Sequence, residues 1–390
     1  MKKKRICAVL SAFILSAAPV FGAFAVSAED LAVPKGWLLW HSYTSYEAGD
    51  SQLYLQNPQG EISEITGGFI HAMNGNFGKS PDDIVFMAID ENADEWDIFL
   101  YEDKTVTNLT ENSGYRNEDP KWSPDGKSIV FKRGYWNADV NDFTYNLAWM
   151  DLERKEIKML TDSLYEEAMP HFSEDGRYIY YTKYMEGYGK ISRLNTETGE
   201  DELIFEEEKV NAYYPAVKNG FLYFTKWFSD DNHHDEIMIY ADNTLKSAAF
   251  NSERYDCSDA CPIDGDKMIY SSTIKGSYSL YYADGDASVE IPEVNTDRNE
   301  LGADFFSYAE YENLIRNTVL GDVNADGELN IADVVLLQKW LLAVPDVSLA
   351  NWEAADLCQN GELNVLDLCL MKRELLRPVQ YSLPKSPEKS

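Results

Sequence analysis

The chain has 390 residues, 34 of them basic and 67 acidic, for a net charge of -33. That acidity excludes nucleic acid and anionic membrane surfaces as partners. The 13% of aromatic residues, Tyr foremost, exclude a disordered acidic chain. The length suits one large domain and one small one.

Residues 1–28 read as a secretory signal peptide. Lys2, Lys3, Lys4 and Arg5 form a basic start, Ile6 to Val26 is apolar, and Val26-Ser27-Ala28 offers small residues for cleavage. Glu29 and Asp30 follow at once, which argues against a membrane anchor. No later run is long and apolar enough for membrane insertion. Loss of the four basic residues takes the charge to about -37. The expected location is extracellular, either free or on a cell surface.

Residues 31–310 carry strand-like runs of Tyr, Phe, Trp, Ile and Val between Asp-Gly and Asn-Gly turns, and they repeat. The run from Trp122 through Ser123-Pro124-Asp125-Gly126 to Phe131 is echoed from Phe172 through Ser173-Glu174-Asp175-Gly176 to Tyr181. Weaker echoes begin at Lys79, Val217 and Ile263. The period of about 40–50 residues is that of a propeller blade. Each echo reads as an inner strand, a tight turn and a second strand. The Ser-Pro-Asp-Gly-Lys turn resembles the mark of TolB-type propellers. That resemblance implies an all-β six-bladed β-propeller; a two-sheet sandwich is the alternative. The chain enters on a second-strand segment, Gly36 to His41, and leaves after an inner-strand segment near Gly302 to Ser307. Pairing of these ends in one blade would close the ring and remove exposed edges.

In such a ring, the loops joining second to third strands share a face with the loops leading into inner strands. Tyr43, Tyr135, Trp136, Tyr188, Trp227, His233 and His234 fall in the first set, and aromatic rings there suit stacking on sugars. Packing between blades is the competing role for each. Carboxylates are too numerous for a catalytic pair to stand out. His41, His71, His171 and His233-His234 are candidates for a metal-dependent lyase site. No Gly-x-Ser-x-Gly elbow is present, which weighs against a prolyl-oligopeptidase-like enzyme. A non-catalytic module that binds glycan, such as plant cell-wall polysaccharide, or protein is favoured over a polysaccharide hydrolase or lyase. Cys257 and Cys261 could form a disulfide or remain thiols.

After a connection at 311–320, residues 321–377 hold the strongest motif. Asp322, Asn324, Asp326, Asn330 and Asp333 place side-chain oxygens at positions 1, 3, 5, 9 and 12 of a calcium loop. Gly327 supplies the sharp turn at position 6 and Glu328 a backbone carbonyl at 7. The pattern returns 34 positions later with Asp356, Cys358, Asn360, Gly361, Glu362, Asn364 and Asp367. Helices are expected at Val334 to Leu342 and Leu368 to Leu376. Paired loop–helix units without a leading helix resemble a type I dockerin, a small all-α module. That resemblance implies two bound calcium ions and docking onto a cohesin module of a scaffold that gathers plant-cell-wall-degrading enzymes. Cys358 is a poor calcium ligand, so the second site should be the weaker. A bridge from Cys358 to Cys369 is one alternative and two free thiols the other. Ile331-Ala332 and Val365-Leu366 stand at positions 10 and 11, where the family sets cohesin choice. Gln338, Lys339, Lys372 and Arg373 complete the expected docking face. Residues 378–390 read as a tail.

Overall fold

The computed structural model describes residues 31–93, 95–138, 141–228, 234–311, 320–326, 328–358, 360 and 362–376. The signal-peptide segment, most of the connection, Gly327, Gly361, His233 and the tail lie outside the described residues.

Residues 36–307 form six four-stranded antiparallel sheets. Blade two is β4 (Phe69–Phe77), β5 (Ile84–Asp90), β6 (Asp97–Glu102) and β7 (Thr105–Asn108). Blade three is β8 (Arg116–Trp122), β9 (Ser128–Asn137), β10 (Asp142–Asp151) and β11 (Glu156–Met159). Blade four is β12 (Glu166–Phe172), β13 (Tyr178–Met185), β14 (Tyr188–Asn195) and β15 (Asp201–Phe205). Blade five is β16 (Val210–Lys218), β17 (Phe221–Phe228), β18 (Glu236–Ala241) and β19 (Thr244–Ser247). Blade six is β20 (Cys257–Asp264), β21 (Lys267–Ser272), β22 (Ser279–Asp284) and β23 (Ala287–Glu290). Blade one joins the two ends of the propeller: β1 (Gly36–Tyr43), β2 (Gln52–Gln56) and β3 (Ile62–Glu64) are completed on the inside by β24 (Asn299–Ser307). Gly36 pairs with Ser307 and Tyr43 with Asn299, which is the expected closure.

The burial pattern explains why this sequence makes blades. Second strands are covered on both faces by neighbouring blades, so their central stretches read as apolar runs. Ile84, Val85, Phe86, Met87 and Ala88 are all buried, whereas the outer strand β19 is exposed throughout. Adjacent residues feed different cores. Leu39 packs with Leu53 and Phe86 between blades one and two, while Leu38 packs with Ile269 and Tyr282 between blades six and one.

The tight turns after the inner strands are built by side chains. Ser123 Oγ donates to Asp125 Oδ1 at 2.6 Å and accepts from the Ser128 N–H at 3.1 Å. Ser173 repeats this with Asp175 at 2.8 Å and the Tyr178 N–H at 3.0 Å. Gly126 takes a φ of 67°, a left-handed conformation that favours glycine.

The C-terminal unit packs α1 (Ile331–Leu341) against α2 (Val365–Leu375) around Val323, Val334, Leu337, Leu368 and Met371. Both helices begin three residues before the expected starts. Asn330 accepts from the Ala332 N–H at 2.8 Å, and the Asp333 carboxylate accepts from the Asn330 N–H at 2.9 Å. Asn364 and Asp367 make the same capping box. Cys257, Cys261, Cys358 and Cys369 are free thiols. Of the alternatives at each pair, the free thiols hold: Cys257 and Cys261 face different inter-blade cores, and Cys358 and Cys369 are likewise unbridged.

Candidate functional site

In the first loop of the C-terminal unit, the oxygen-bearing side chains curl the backbone about one centre. Asp322 Oδ1 and Asn324 Oδ1 accept from the Asp326 N–H at 3.1 and 2.9 Å, and Asp326 Oδ1 accepts from the Glu328 N–H at 3.0 Å. Asp333 is fully buried and accepts from the N–H groups of Val323 and Asn324 at 3.1 and 3.2 Å. The donor set is all oxygen, which fits a hard cation such as calcium. In the second loop, Asp367 likewise accepts from the Cys358 and Asn364 N–H groups at 3.1 and 3.0 Å. Asp356 Oδ1 accepts from the Asn360 N–H at 3.2 Å. Here sulfur replaces an oxygen at position 3, so the set fits calcium less well. Hydrogen bonding to Asp367, withdrawal from water and the Asp356 carboxylate push the Cys358 thiol up to about 11.

The helices present a duplicated outer surface. Ile331 and Val365 are 70% and 67% exposed, which removes both from the core they adjoin. Ala332 and Leu366, Gln338 and Lys372, and Lys339 and Arg373 are equivalent pairs, and all six are exposed. The expected docking residues therefore share one side of each helix N-terminus and its following turns. Val335 and Leu376 extend the apolar part and could not be singled out without the helix register.

On the propeller, Tyr43, Tyr135, Trp136, Tyr188, Trp227 and His234 all lie at the face where second strands end and inner strands begin. They are spread around it. Tyr43 stacks on His41 at 6.0 Å, and burial pushes that imidazole down to about 3. His234 Nδ1 stands 3.5 Å from Asp256. Tyr188 and Trp227 are half-buried. Trp136 is the most accessible, at 56% exposed. It sits on the β9–β10 hairpin, whose two strands of ten residues are the longest among the described residues. Phe143 meets its ring edge-on at 5.6 Å, Tyr145 stacks on Phe143 at 6.1 Å, and Lys132 Nζ lies 4.3 Å over Tyr145. Gly134 makes room for that row, since a Cβ there would meet the Tyr145 ring at 2.4 Å. Lys132 is itself held by Glu118 at 2.9 Å and Glu166 at 2.7 Å. Phe143 and Tyr145 were not legible as site residues because only the hairpin register, with Phe143 opposite Trp136, brings them together.

A cavity of about 490 Å³ opens on the opposite face, along the axis of the ring. None of the aromatic candidates lines it. Each inner strand contributes a residue in the left-handed region at or beside a register shift: Asn74, Asp119, Met169, Tyr214, Asp259 and Gly302. These residues tie blades together. Asn74 Nδ2 donates to Asp119 at 2.8 Å, and the Gly302 N–H donates to Asp259 at 3.2 Å. Nearer the mouth, Asn76 Nδ2 donates to Asp304 at 2.9 Å. Withdrawal from water pushes the Asp119, Asp259 and Asp304 carboxyls up and His171 down to about 4. The axis thus gathers carboxyls that hold protons more readily than usual beside a neutral imidazole. His41, His71 and His171 do not converge. Among the described residues, no three metal-ligating side chains of the propeller come together.

Residues 320–376 match the dockerin type I domain. The six-bladed ring resembles TolB from Acinetobacter baumannii, with a TM-score of 0.55 and 14% identity over 69% of this chain and 66% of that one. It also resembles Kuenenia stuttgartiensis hydrazine synthase, with a TM-score of 0.57 and 12% identity over 75% of this chain and 50% of that one. These likenesses show the fold. A 129-residue stretch is 31% identical to an uncharacterized peptidase, YuxL, of Bacillus subtilis (strain 168), covering 32% of this chain and 17% of that protein. The chain therefore carries a type I dockerin beside a TolB-like six-bladed propeller. A dockerin implies docking to a cohesin, and dockerins of this type generally bind calcium.

Proposed function

We propose that the protein is exported and docks through residues 320–376 to a cohesin on a scaffold, where its propeller binds glycan during plant polysaccharide breakdown. The observation that carries the glycan reading is the Trp136–Phe143–Tyr145 row. It is an aromatic surface on the β9–β10 hairpin, exposed at Trp136 and Phe143 and backed at Tyr145 by Lys132, which Glu118 and Glu166 hold in place. Aromatic faces of this kind stack on the apolar faces of sugar rings. Calcium would be held first by Asp322, Asn324, Asp326, the Glu328 carbonyl, Asn330 and Asp333. It would supply the positive centre that fixes the loop before α1.

The test is binding of the intact protein to a panel of plant cell-wall polysaccharides, with reducing-sugar and unsaturated-product assays in parallel. Saturable binding without turnover, lost in a Trp136→Ala, Phe143→Ala double variant, is the expected result. Turnover would replace the binding reading with that of a propeller hydrolase or lyase. Binding untouched by the double variant would remove the hairpin from the site.

A further inference from the structure

Calcium loops work because each ligand position offers oxygen to a cation that takes six to eight of them. The two loops of this unit differ at two such positions. Asn324 is replaced by Cys358 at position 3, and Asp326 by Asn360 at position 5. The second loop therefore has a thiol in place of an amide oxygen, and one carboxylate fewer, among its side-chain ligands. Both changes weaken calcium, whose affinity follows ligand charge and oxygen count.

The same changes suit a different ion. Cys358 Sγ lies 3.6 Å from Asp356 Oδ1. One ligand atom each from Asp356, Cys358 and Asp367 lies within 4.8 Å of the others, and no other such group of three occurs among the described residues. Zinc-class ions take about four ligands at roughly 2.0–2.3 Å and accept thiolate together with carboxylate. A sulfur and two carboxylate oxygens already drawn together need only a small contraction and one further oxygen, from Asn360 or water. Asp367 is also held for the task. Its two oxygens accept from the Cys358 and Asn364 N–H groups, so the backbone fixes the carboxylate beside the thiol.

We infer that the second loop is a site for a thiophilic divalent cation of the zinc class, and that the module takes two chemically different cations. This inference rests on reading residues 320–376 as a dockerin whose first loop takes calcium. Helix α2 and its half of the docking surface would then be fixed by an ion other than the one that fixes α1.

The experiment uses the full-length protein, stripped of metal and kept reduced. It is exposed to iodoacetamide after addition of calcium alone, zinc alone or both. Mass spectrometry then reads alkylation at Cys358, with the exposed Cys369 as internal control. Zinc should protect Cys358 but not Cys369, and saturating calcium should leave Cys358 reactive. Cys358→Ser should weaken zinc binding by more than about 100-fold, because loss of a mere outer-shell partner already costs up to that much. Cys358→Asp should take up a second calcium equivalent in a calorimetric titration. Equal protection by calcium and zinc, or zinc affinity within about tenfold of wild type in Cys358→Ser, would overturn the inference. Cohesin binding is measured separately. Its failure with the Cys358 footprint intact would sink the docking proposal and spare this one.

Discussion

Asp333→Ala should harm the C-terminal unit more than removal of calcium does. Asp333 is a candidate ion ligand, but its buried carboxylate also accepts three backbone N–H groups, from Val323, Asn324 and Asn330. Hydrogen bonds to charged groups contribute about 1.5–3 kcal/mol each. With two oxygens shared among three donors, the loss comes to ~5 kcal/mol. A unit this small draws at most about 3–5 kcal/mol from its core. Calcium at a hundred times its dissociation constant adds about 2.7 kcal/mol, and chelation removes only that. Hydrogen exchange of the full-length protein, followed in peptides from α1, separates the cases, with peptides from β13 as control. Asp333→Ala should leave α1 unprotected even in saturating calcium. Asp333→Asn keeps one acceptor oxygen and should lose about half as much. If α1 in the alanine variant with calcium is as well protected as the chelated wild type, the carboxylate does not organise the loop.

Other expectations concern the ring and the docking face. Gly36→Ala should strain the closing seam, because a Cβ there meets the Phe306 carbonyl at 2.5 Å and the Phe305 ring at 2.4 Å; a cost of about 1–3 kcal/mol should appear as a lower melting temperature. Burial first, then the charges of Asp256 and Asp259, push Asp235 up to about 6 against an ordinary value of 3.8. The folded state therefore binds this proton more tightly, so its contribution to stability grows as pH falls from about 6 towards 3.8. Asp235→Asn should flatten that part of the melting-temperature profile, and an unchanged slope would refute the assignment. Lys372→Glu with Arg373→Glu should slow association with an acidic-rimmed cohesin, chiefly at low salt, and leave glycan binding unchanged. Normal cohesin kinetics in that variant would exclude the basic edge from the interface.

The blades were legible because burial on both sides turns middle strands into apolar runs, as in Ile84 to Ala88 and Ile129 to Phe131. Closure was legible because the chain enters the propeller on a second-strand segment, Gly36 to His41, and leaves it after an inner one near Gly302 to Ser307. The helix starts were not. Apolar periodicity becomes visible at Val334, whereas the backbone turns helical at Ile331 through the Asn330–Asp333 cap. The axial cavity was missed for a different reason. Six inner strands share one backbone conformation at Asn74, Asp119, Met169, Tyr214, Asp259 and Gly302, yet those residues have almost nothing in common chemically. The conformation repeats where the side chains do not. Proline after the left-handed residue, at Pro120, Pro170 and Pro215, was the one recurring sign.

Strand β24 lies innermost in blade one, and the chain continues from its end towards the C-terminal unit. A pull on a docked protein would therefore reach the ring through one of its six central strands. β24 is held along its length by β1, from Gly36 opposite Ser307 to Tyr43 opposite Asn299. It is wedged by Phe306 into the core between blades one and two and by Phe305 into that between blades six and one. Tension would be shared by a whole ladder of hydrogen bonds and two packed seams. The same strand that closes the ring thus serves as the anchor of its tether.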